Sequence, residues 1–293
     1  MKKIKIYLII AIVLFTISAS FNVYLYSSDD KPLDWIQSEE FVMDTIKGIL
    51  LNSKEFRDGE DVVFEYDFEN EEYSGLLEKY RLEDISGEGS EFIRARNLMN
   101  EYAARIRHSI SVAVSPENMN AEYLLENYLD NKKQGTYCRA KAQILNEMCL
   151  ALGIYSRKLW IVPLSRYDDE CHVVNEVWDS EYGKWIMLDI SNNLYWVDEN
   201  AVPLSMLEVR DKIISEEFCT PVLSSDDLSD LKKSFKNNKY YFTYYAKNLA
   251  ALRYMDTYTV GETNRLFLVP VNYTPDENWS MISRESVERS PLL

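Results

Sequence analysis

The chain has 293 residues, 46% of them hydrophobic and 27% charged, with a formal net charge of -16. That is enough apolar material for one large domain or two small ones. The acidic balance excludes nucleic acid and anionic lipid surfaces as main partners, since both repel an acidic protein, and it selects no substrate, because a solvated acidic face accounts for it.

Lys2, Lys3 and Lys5 precede an apolar run from Ile6 to Tyr26. As a helix this run would span about 31 Å, close to the roughly 30 Å of a bilayer core. Lysines before it and Asp29-Asp30 after it predict a single-pass anchor, with the N-terminus cytoplasmic and the bulk of the chain outside. The alternative is a signal peptide with its apolar centre at Ile6 to Phe15 and Ser18-Ala19-Ser20 near the cleavage site, which would release a secreted domain. Either way the domain is exported.

The pattern from Pro32 to about Glu55 predicts a helix, and the alternation from Val62 to Phe68 predicts a strand. Leu76 to His108 is mostly helical with a glycine-rich break at Ser86-Gly87-Glu88-Gly89, and Asn118 to Asp130 is a further helix. Cys138 opens a strong helical pattern that ends at Gly153. Residues 138, 142, 145, 149 and 152 share one face of that helix, so Cys138 stands in the first turn on the side turned to the core. A free cysteine with a pKa near 8.5 is only a few per cent ionised at pH 7, and a helix start plus a histidine can bring that value to roughly 3.5–7.5. The bland alternative is a small buried hydrophobe, and Cys149 reads that way.

Ser156 to Leu164 predicts a strand, Arg166 to Glu170 a charged loop, and His172 to Trp178 a second strand. Lys184 to Ser191 predicts its partner across the hairpin loop Ser180-Glu181-Tyr182-Gly183. If Asp179 pairs with Lys184, Val174 lies opposite Asp189 and His172 becomes a diagonal neighbour of Asp189 on the same face. A slip of one residue would put them on opposite faces. An aspartate in an apolar strand needs a partner if buried, and the histidine supplies one. Beyond Asn200, Met206 to Ser215 and Asp226 to Phe235 predict helices, Lys247 to Thr257 and Arg265 to Val271 strands, and the last fifteen residues a frayed end.

A thiol, an imidazole and a carboxylate form a nucleophile, its base and the group that orients the base. The chain has two histidines, so few bases could serve. It has four cysteines, Cys138, Cys149, Cys171 and Cys219, so with Cys138 free at most one disulfide can form. No Cys-x-x-Cys pair suggests zinc.

The segments Gly135-Thr136-Tyr137-Cys138-Arg139-Ala140, Gly153-Ile154-Tyr155-Ser156-Arg157, His172 to Trp178 and Trp185 to Asp189 resemble the transglutaminase-like superfamily, a papain-type thiol fold. The resemblance covers roughly residues 130 to 200. It implies an α+β fold in which a helix carrying the cysteine packs on an antiparallel sheet carrying His and Asp, preceded here by the N-terminal membrane helix. It also implies Cys138 as nucleophile, His172 as base and then acid, and Asp189 as orienter. The Cys138 backbone N–H would stabilise an oxyanion, with Gln134 or Tyr137 as a second donor. The expected layout is an anchor or signal over 1–30, a mainly helical part over 31–130, the transglutaminase-like core over 131–200, completing helices and strands over 201–280 and a flexible tail over 281–293.

Animal members of that family bind calcium, but no loop here has the spaced carboxylates of a calcium site, and Asp168-Asp169-Glu170 reads as a solvated loop. No metal or cofactor is expected. The implied chemistry is acyl transfer or hydrolysis at an amide or peptide bond of a peptide or protein. The alternatives are a non-catalytic binding or scaffolding module of the same fold at the membrane surface, and a structural domain with Cys138 in a disulfide.

Overall fold

The computed structural model of the chain describes residues 39–110, 113–165, 167–276 and 278–292. From Ile46 onward they form one compact unit. The elements in order are α1 (Glu39–Asn52), β1 (Glu65–Tyr66), α2 (Glu72–Tyr80), α3 (Leu82–Ser86), α4 (Glu91–Arg105), a short 3-10 turn (Pro116–Asn118), α5 (Ala121–Tyr128) and α6 (Cys138–Ala151). Then come β2 (Ser156–Val162), β3 (His172–Asp179), β4 (Lys184–Leu188), β5 (Leu194–Asp198), α7 (Met206–Ile214), β6 (Cys219–Leu223), α8 (Leu231–Asn237) and α9 (Lys239–Asn248). The chain closes with β7 (Ala251–Met255), β8 (Thr257–Tyr258), β9 (Arg265–Leu268), β10 (Ser280–Met281) and α10 (Arg284–Glu288).

One six-stranded sheet, in the order β10-β9-β7-β2-β3-β4, organises these elements. It is antiparallel except for the β9–β10 pair. The β3–β4 hairpin has the expected register, Asp179 opposite Lys184 and Asn175 opposite Leu188. Its turn is set locally. Asp179 Oδ1 accepts the N–H groups of Glu181 and Tyr182, each at 3.0 Å, and Gly183 takes the left-handed φ of 63° that closes the loop. The ladder stops one pair short of Val174 and Asp189, because Asp189 leaves the sheet to bridge Leu194 (N–H to carbonyl 2.9 Å). That departure aims its carboxylate.

Helix α6 packs against β2 and β3 on one side and against α2, α4 and α5 on the other. Its apolar positions Ala142, Leu145 and Cys149 are fully buried, as their spacing predicts. Lys141, Gln143, Asn146 and Glu147 are buried too. The sequence reading assigned one inward face, whereas the helix is central and enclosed almost all round. Lys141, Gln143 and Glu147 survive there because they bind backbone or each other, while the Asn146 amide has no partner among the described residues. Glu147 Oε2 accepts Ala121 N–H at 2.8 Å at the start of α5, and Lys141 Nζ donates to Ala103 O at 3.0 Å.

Buried carboxylates fasten the other helices to the sheet in the same way. Asp179 Oδ2 accepts Phe92 N–H in the first turn of α4 at 2.9 Å, and Glu176 Oε1 accepts Met206 N–H at the start of α7 at 2.8 Å. A helix start offers unpaired N–H groups and positive potential, so a carboxylate is the fitting partner. Ser205 adds a capping box with Glu208 to α7.

Several elements depart from expectation. The strand predicted over Val62 to Phe68 shrinks to β1, which pairs parallel with β8. Its alternation serves ring packing: Tyr66 lies 5.4 Å from Tyr258 and 6.2 Å from Trp185. The helix predicted from Asp226 begins only at Leu231. Asp226 instead closes a turn, accepting Leu223 N–H at 3.0 Å and Asn238 Nδ2 at 2.7 Å, and Asp230 caps α8. The strand predicted from Lys247 begins only at Ala251, because α9 runs through Asn248 with Phe242, Tyr245 and Ala246 buried at helical spacing. Strands β5 and β6, which pair with each other, were not foreseen.

The C-terminal stretch expected to fray carries β10 and α10, with Ile282 and Val287 buried. Arg157 Nη1 donates to Val287 O at 2.8 Å and Trp185 Nε1 to Arg289 O at 3.1 Å, so core side chains hold it down. The apolar run Ile6 to Tyr26 lies outside the described residues. Among the described residues no helix is long and apolar enough to cross a membrane.

Candidate active site

Cys138 is the first residue of α6. Tyr137 before it is extended (φ -97°, ψ 172°), and no side chain caps the helix start. The thiol is partly exposed. It is held at the sheet by the approach to the helix: Thr136 N–H donates to Arg107 O at 2.9 Å and Ser109 N–H to Thr136 O at 2.8 Å. Gly135 is required there, because a Cβ would fall 2.4 Å from Arg107 O.

His172 opens β3 and is 5% exposed, and Asp189, just past β4, is fully buried. His172 Nε2 and Asp189 Oδ2 are 2.8 Å apart. The diagonal placement expected from the register therefore brings the two groups into contact. The Cys138 thiol lies near enough to the same ring to favour its charged form. With Nε2 engaged by the carboxylate, Nδ1 is the ring nitrogen that this bond leaves open.

The carboxylate is saturated with donors. Asn192 Nδ2 reaches Oδ2 at 2.7 Å, Ser191 N–H reaches Oδ1 at 2.7 Å, and the Tyr245 hydroxyl from α9 donates to Oδ2. Burial raises the pKa of Asp189, but the imidazolium and these donors outweigh it and bring it to about 2. Burial likewise works against charge on His172. The Asp189 carboxylate, its hydrogen bond and the Cys138 thiol outweigh burial and raise the imidazole to about 10. The ring therefore holds its proton at neutral pH. Tyr244 and Tyr245 meet it edge-on at 5.7 and 5.5 Å between centroids and close it off from water.

The sequence reading did not find Tyr245, Asn192 or Tyr244. Asn192 follows Asp189 by three residues in a turn, a spacing that could have suggested it; α9 arrives from far along the chain and left no local sign. The second histidine, His108, pairs with Thr136 in a parallel bridge two residues before the cysteine. Burial and then the Lys141 and His172 charges lower its pKa, so it borders the same site. Lys141, one turn along α6, is pushed down to about 8 by burial, opposed by Asp189.

Tyr137 sits at the helix start and its carbonyl accepts from Ala140 and Lys141, each at 3.1 Å. Gln134 is exposed in the preceding turn, where its backbone N–H donates to Asn131 Oδ1 at 3.0 Å. No described contact joins its side chain to Cys138, His172 or Asp189. The acidic loop ahead of His172 is bridged by a lysine: Lys247 pairs with Asp168 at 2.8 Å and with Glu170. Among the described residues no cluster of three or more His, Cys, Asp or Glu side chains gathers as a metal site, and all four cysteines are free thiols.

Residues 79–190 match the transglutaminase-like superfamily. That span contains Cys138, His172, Asp189, the helix that starts at the cysteine and the hairpin that joins the other two. The chain thus carries a transglutaminase-like core in an α+β frame, as the sequence motifs implied. Among solved structures it is similar to a candidate cysteine protease from Cytophaga hutchinsonii, with 15% identity and a TM-score of 0.33. The match covers 52% of this chain and 47% of that one, so the chain spans about half of the protein it resembles. No curated protein sequence matches.

Proposed function

We propose that the chain is a thiol enzyme that cleaves or transfers the acyl group of an amide or peptide bond. The observation that carries this reading is the arrangement around His172: a carboxylate 2.8 Å from one ring nitrogen, a thiol near enough to favour the ring's charge, and a helix start at the thiol. Cys138 Sγ, as the thiolate, adds to the amide carbonyl carbon. The C–N bond then breaks, the proton on His172 goes to the departing amine, and the acyl group stays on sulfur as a thioester. Neutral His172 next takes a proton from water or from a second amine, whose oxygen or nitrogen attacks the thioester and returns the thiolate.

Asp189 orients the ring and favours its charged form throughout. The Cys138 N–H, at the open end of α6, is the first candidate for the developing oxyanion, with Tyr137 and Gln134 as the neighbours from which a second donor would come. The apolar run behind Lys2, Lys3 and Lys5 supports export, with the core outside the membrane and peptide or protein amides within reach.

The test is incubation of the full chain with a peptide amide and a primary amine, following ammonia, shortened peptide and amine-linked product. Hydrolysed or amine-linked product that disappears in Cys138→Ala supports the reading, and the ratio of the two products decides between hydrolysis and transfer. Absence of any Cys138-dependent product or adduct would leave a binding module of the same fold.

A further inference from the structure

A cavity of about 280 Å³ opens beside the residue that precedes His172, with Val162, Cys171, Arg253, Tyr273 and Trp279 among its walls. Strands β2 and β7 contribute Val162 and Arg253 to it, and β9 lies beside β7. Trp160 on β2, Arg253 on β7 and Phe267 on β9 lie directly opposite one another in register, so their side chains share one face of the sheet. Cys171 flanks the same cavity, and the charges felt by its thiol include those of Cys138, Arg253 and Arg139. The cavity therefore adjoins the thiol that carries the proposed chemistry.

Arg253 distinguishes it. The guanidinium lies 5.0 Å over the Phe267 ring and 6.0 Å from Trp279, which itself stacks on Phe267 at 3.9 Å. Aromatic faces hold it flat, and its Nε is buried with no hydrogen-bond partner among the described residues. No described carboxylate pairs with it.

Among the described residues the neighbouring cations are committed. Arg139 and Lys158 bind Glu262, Arg265 lies 3.8 Å from the same carboxylate, and Arg157 is paired with Glu176. The side chain is partly exposed to the cavity, and its buried Nε–H without an acceptor carries a cost that an incoming anion would remove. At the rim Lys247 bridges Asp168 and Glu170 and offsets one of their two charges, while Asp169 and Asp276 are exposed to water. These two would repel a doubly charged phosphate more than a single carboxylate.

We propose that this cavity is a substrate subsite for a carboxylate, gripped by Arg253, with the attached carbon chain lying against Val162, Tyr273 and Trp279. The enzyme would then act on amides of acidic peptides. The link to cleavage rests on Cys138 being the nucleophile; the binding claim does not.

The experiment uses full-length Cys138→Ala, which binds without turnover, and short acetylated peptide amides in matched pairs carrying glutamate or glutamine at the positions flanking the central amide. Calorimetry should show at least one glutamate peptide binding roughly 10–100-fold more tightly than its glutamine twin, the range of a charge-assisted, two-point hydrogen bond. That preference should vanish in Cys138→Ala/Arg253→Gln and persist in part in Cys138→Ala/Arg253→Lys, which keeps the charge and loses the fork. If Arg253→Gln does not fold, the lysine variant and Val162→Asp, which sets a carboxylate against the ligand, carry the test. Equal binding of both peptide sets, absence of binding by either, or a preference that survives these substitutions overturns the subsite. A glutamate preference in the inactive chain together with no Cys138-dependent product in the active one would retain the subsite and discard the enzyme.

Discussion

Strand β3 carries two buried acid–base pairs on the same face, four residues apart, and they are built to opposite ends. In the middle of the sheet, Arg157 Nη2 lies 2.6 Å from Glu176 Oε2, and each side chain is 1% exposed. Every valence there is spent inside: Glu176 also takes Met206 N–H, Arg157 also donates to Val287 O, and Trp185 covers the guanidinium at 3.9 Å. At the end of the strand, His172 and Asp189 are almost as buried, but one ring nitrogen is left open beside a thiol that is partly exposed. A sealed pair fixes where elements sit. A pair with one open valence can hand a proton to something that arrives from outside.

The two pairs should separate cleanly on mutation. Cys138→Ala should remove all amide turnover, and His172→Ala should lower kcat by about 10²–10⁴-fold, the usual contribution of a positioned acid–base group, with kinetics on a peptide amide as the measurement. Arg157→Met should act on the other axis. It leaves the Glu176 charge buried alone and should cost about 3–5 kcal/mol in urea unfolding, while activity per folded molecule stays unchanged. The double change Arg157→Met, Glu176→Leu should recover part of that loss, because it removes both charges but leaves Met206 N–H without its acceptor. A large fall in kcat from the sealed pair would erase the distinction.

Acidity sharpens the contrast. His172 is raised from 6.5 to about 10, so its charge-dependent stabilisation is complete below pH 6.5 and is lost as pH rises through 10. Asp189 is lowered from 3.8 to about 2, so its share is complete above pH 3.8 and is lost as pH falls through 2. The stability difference between the wild type and His172→Gln, measured by denaturant titration across pH, should be largest between those two limits, from about 4 to 6.5, and shrink on both sides. Taking the difference cancels Lys141 and Lys158, which burial pushes down to about 8 and whose contributions run in the opposite direction above pH 8.

The smallest effect belongs to Tyr245→Phe. It removes one of the donors on Asp189 and should lower kcat/KM about fivefold, equivalent to roughly 1 kcal/mol, with the acid limb of the rate profile moving upward as the carboxyl is held less firmly below its usual range. A packing role alone would lower stability and leave that limb in place.

How much of this was legible in the chain follows the range of the forces involved. The hairpin was readable because its turn is local and the pairing of Asp179 with Lys184 fixes the register that puts His172 and Asp189 on one face. The helix after Cys138 was readable from its spacing. What could not be read depends on contacts between distant segments. The aromatic-rich stretch Tyr240 to Tyr245 has strand-forming composition, yet it forms α9 because Phe242 and Tyr245 pack on Trp196 at 5.4 and 5.6 Å. The C-terminus is polar in sequence and ordered in the fold because Arg157 and Trp185, more than a hundred residues earlier, hold its carbonyls. The Arg253 cavity needs β2 and β7 side by side, which no single segment encodes.

The central claim is that the His172–Asp189 pair activates Cys138, and thiol alkylation tests it without knowledge of the substrate. Iodoacetamide labelling of the full chain in mildly acidic buffer, read by peptide mass spectrometry, should modify Cys138 ahead of the exposed Cys171 and should slow at least about tenfold at Cys138 in His172→Ala, since the thiolate is the reactive form. Equal rates at Cys138 with and without the imidazole would contradict the account.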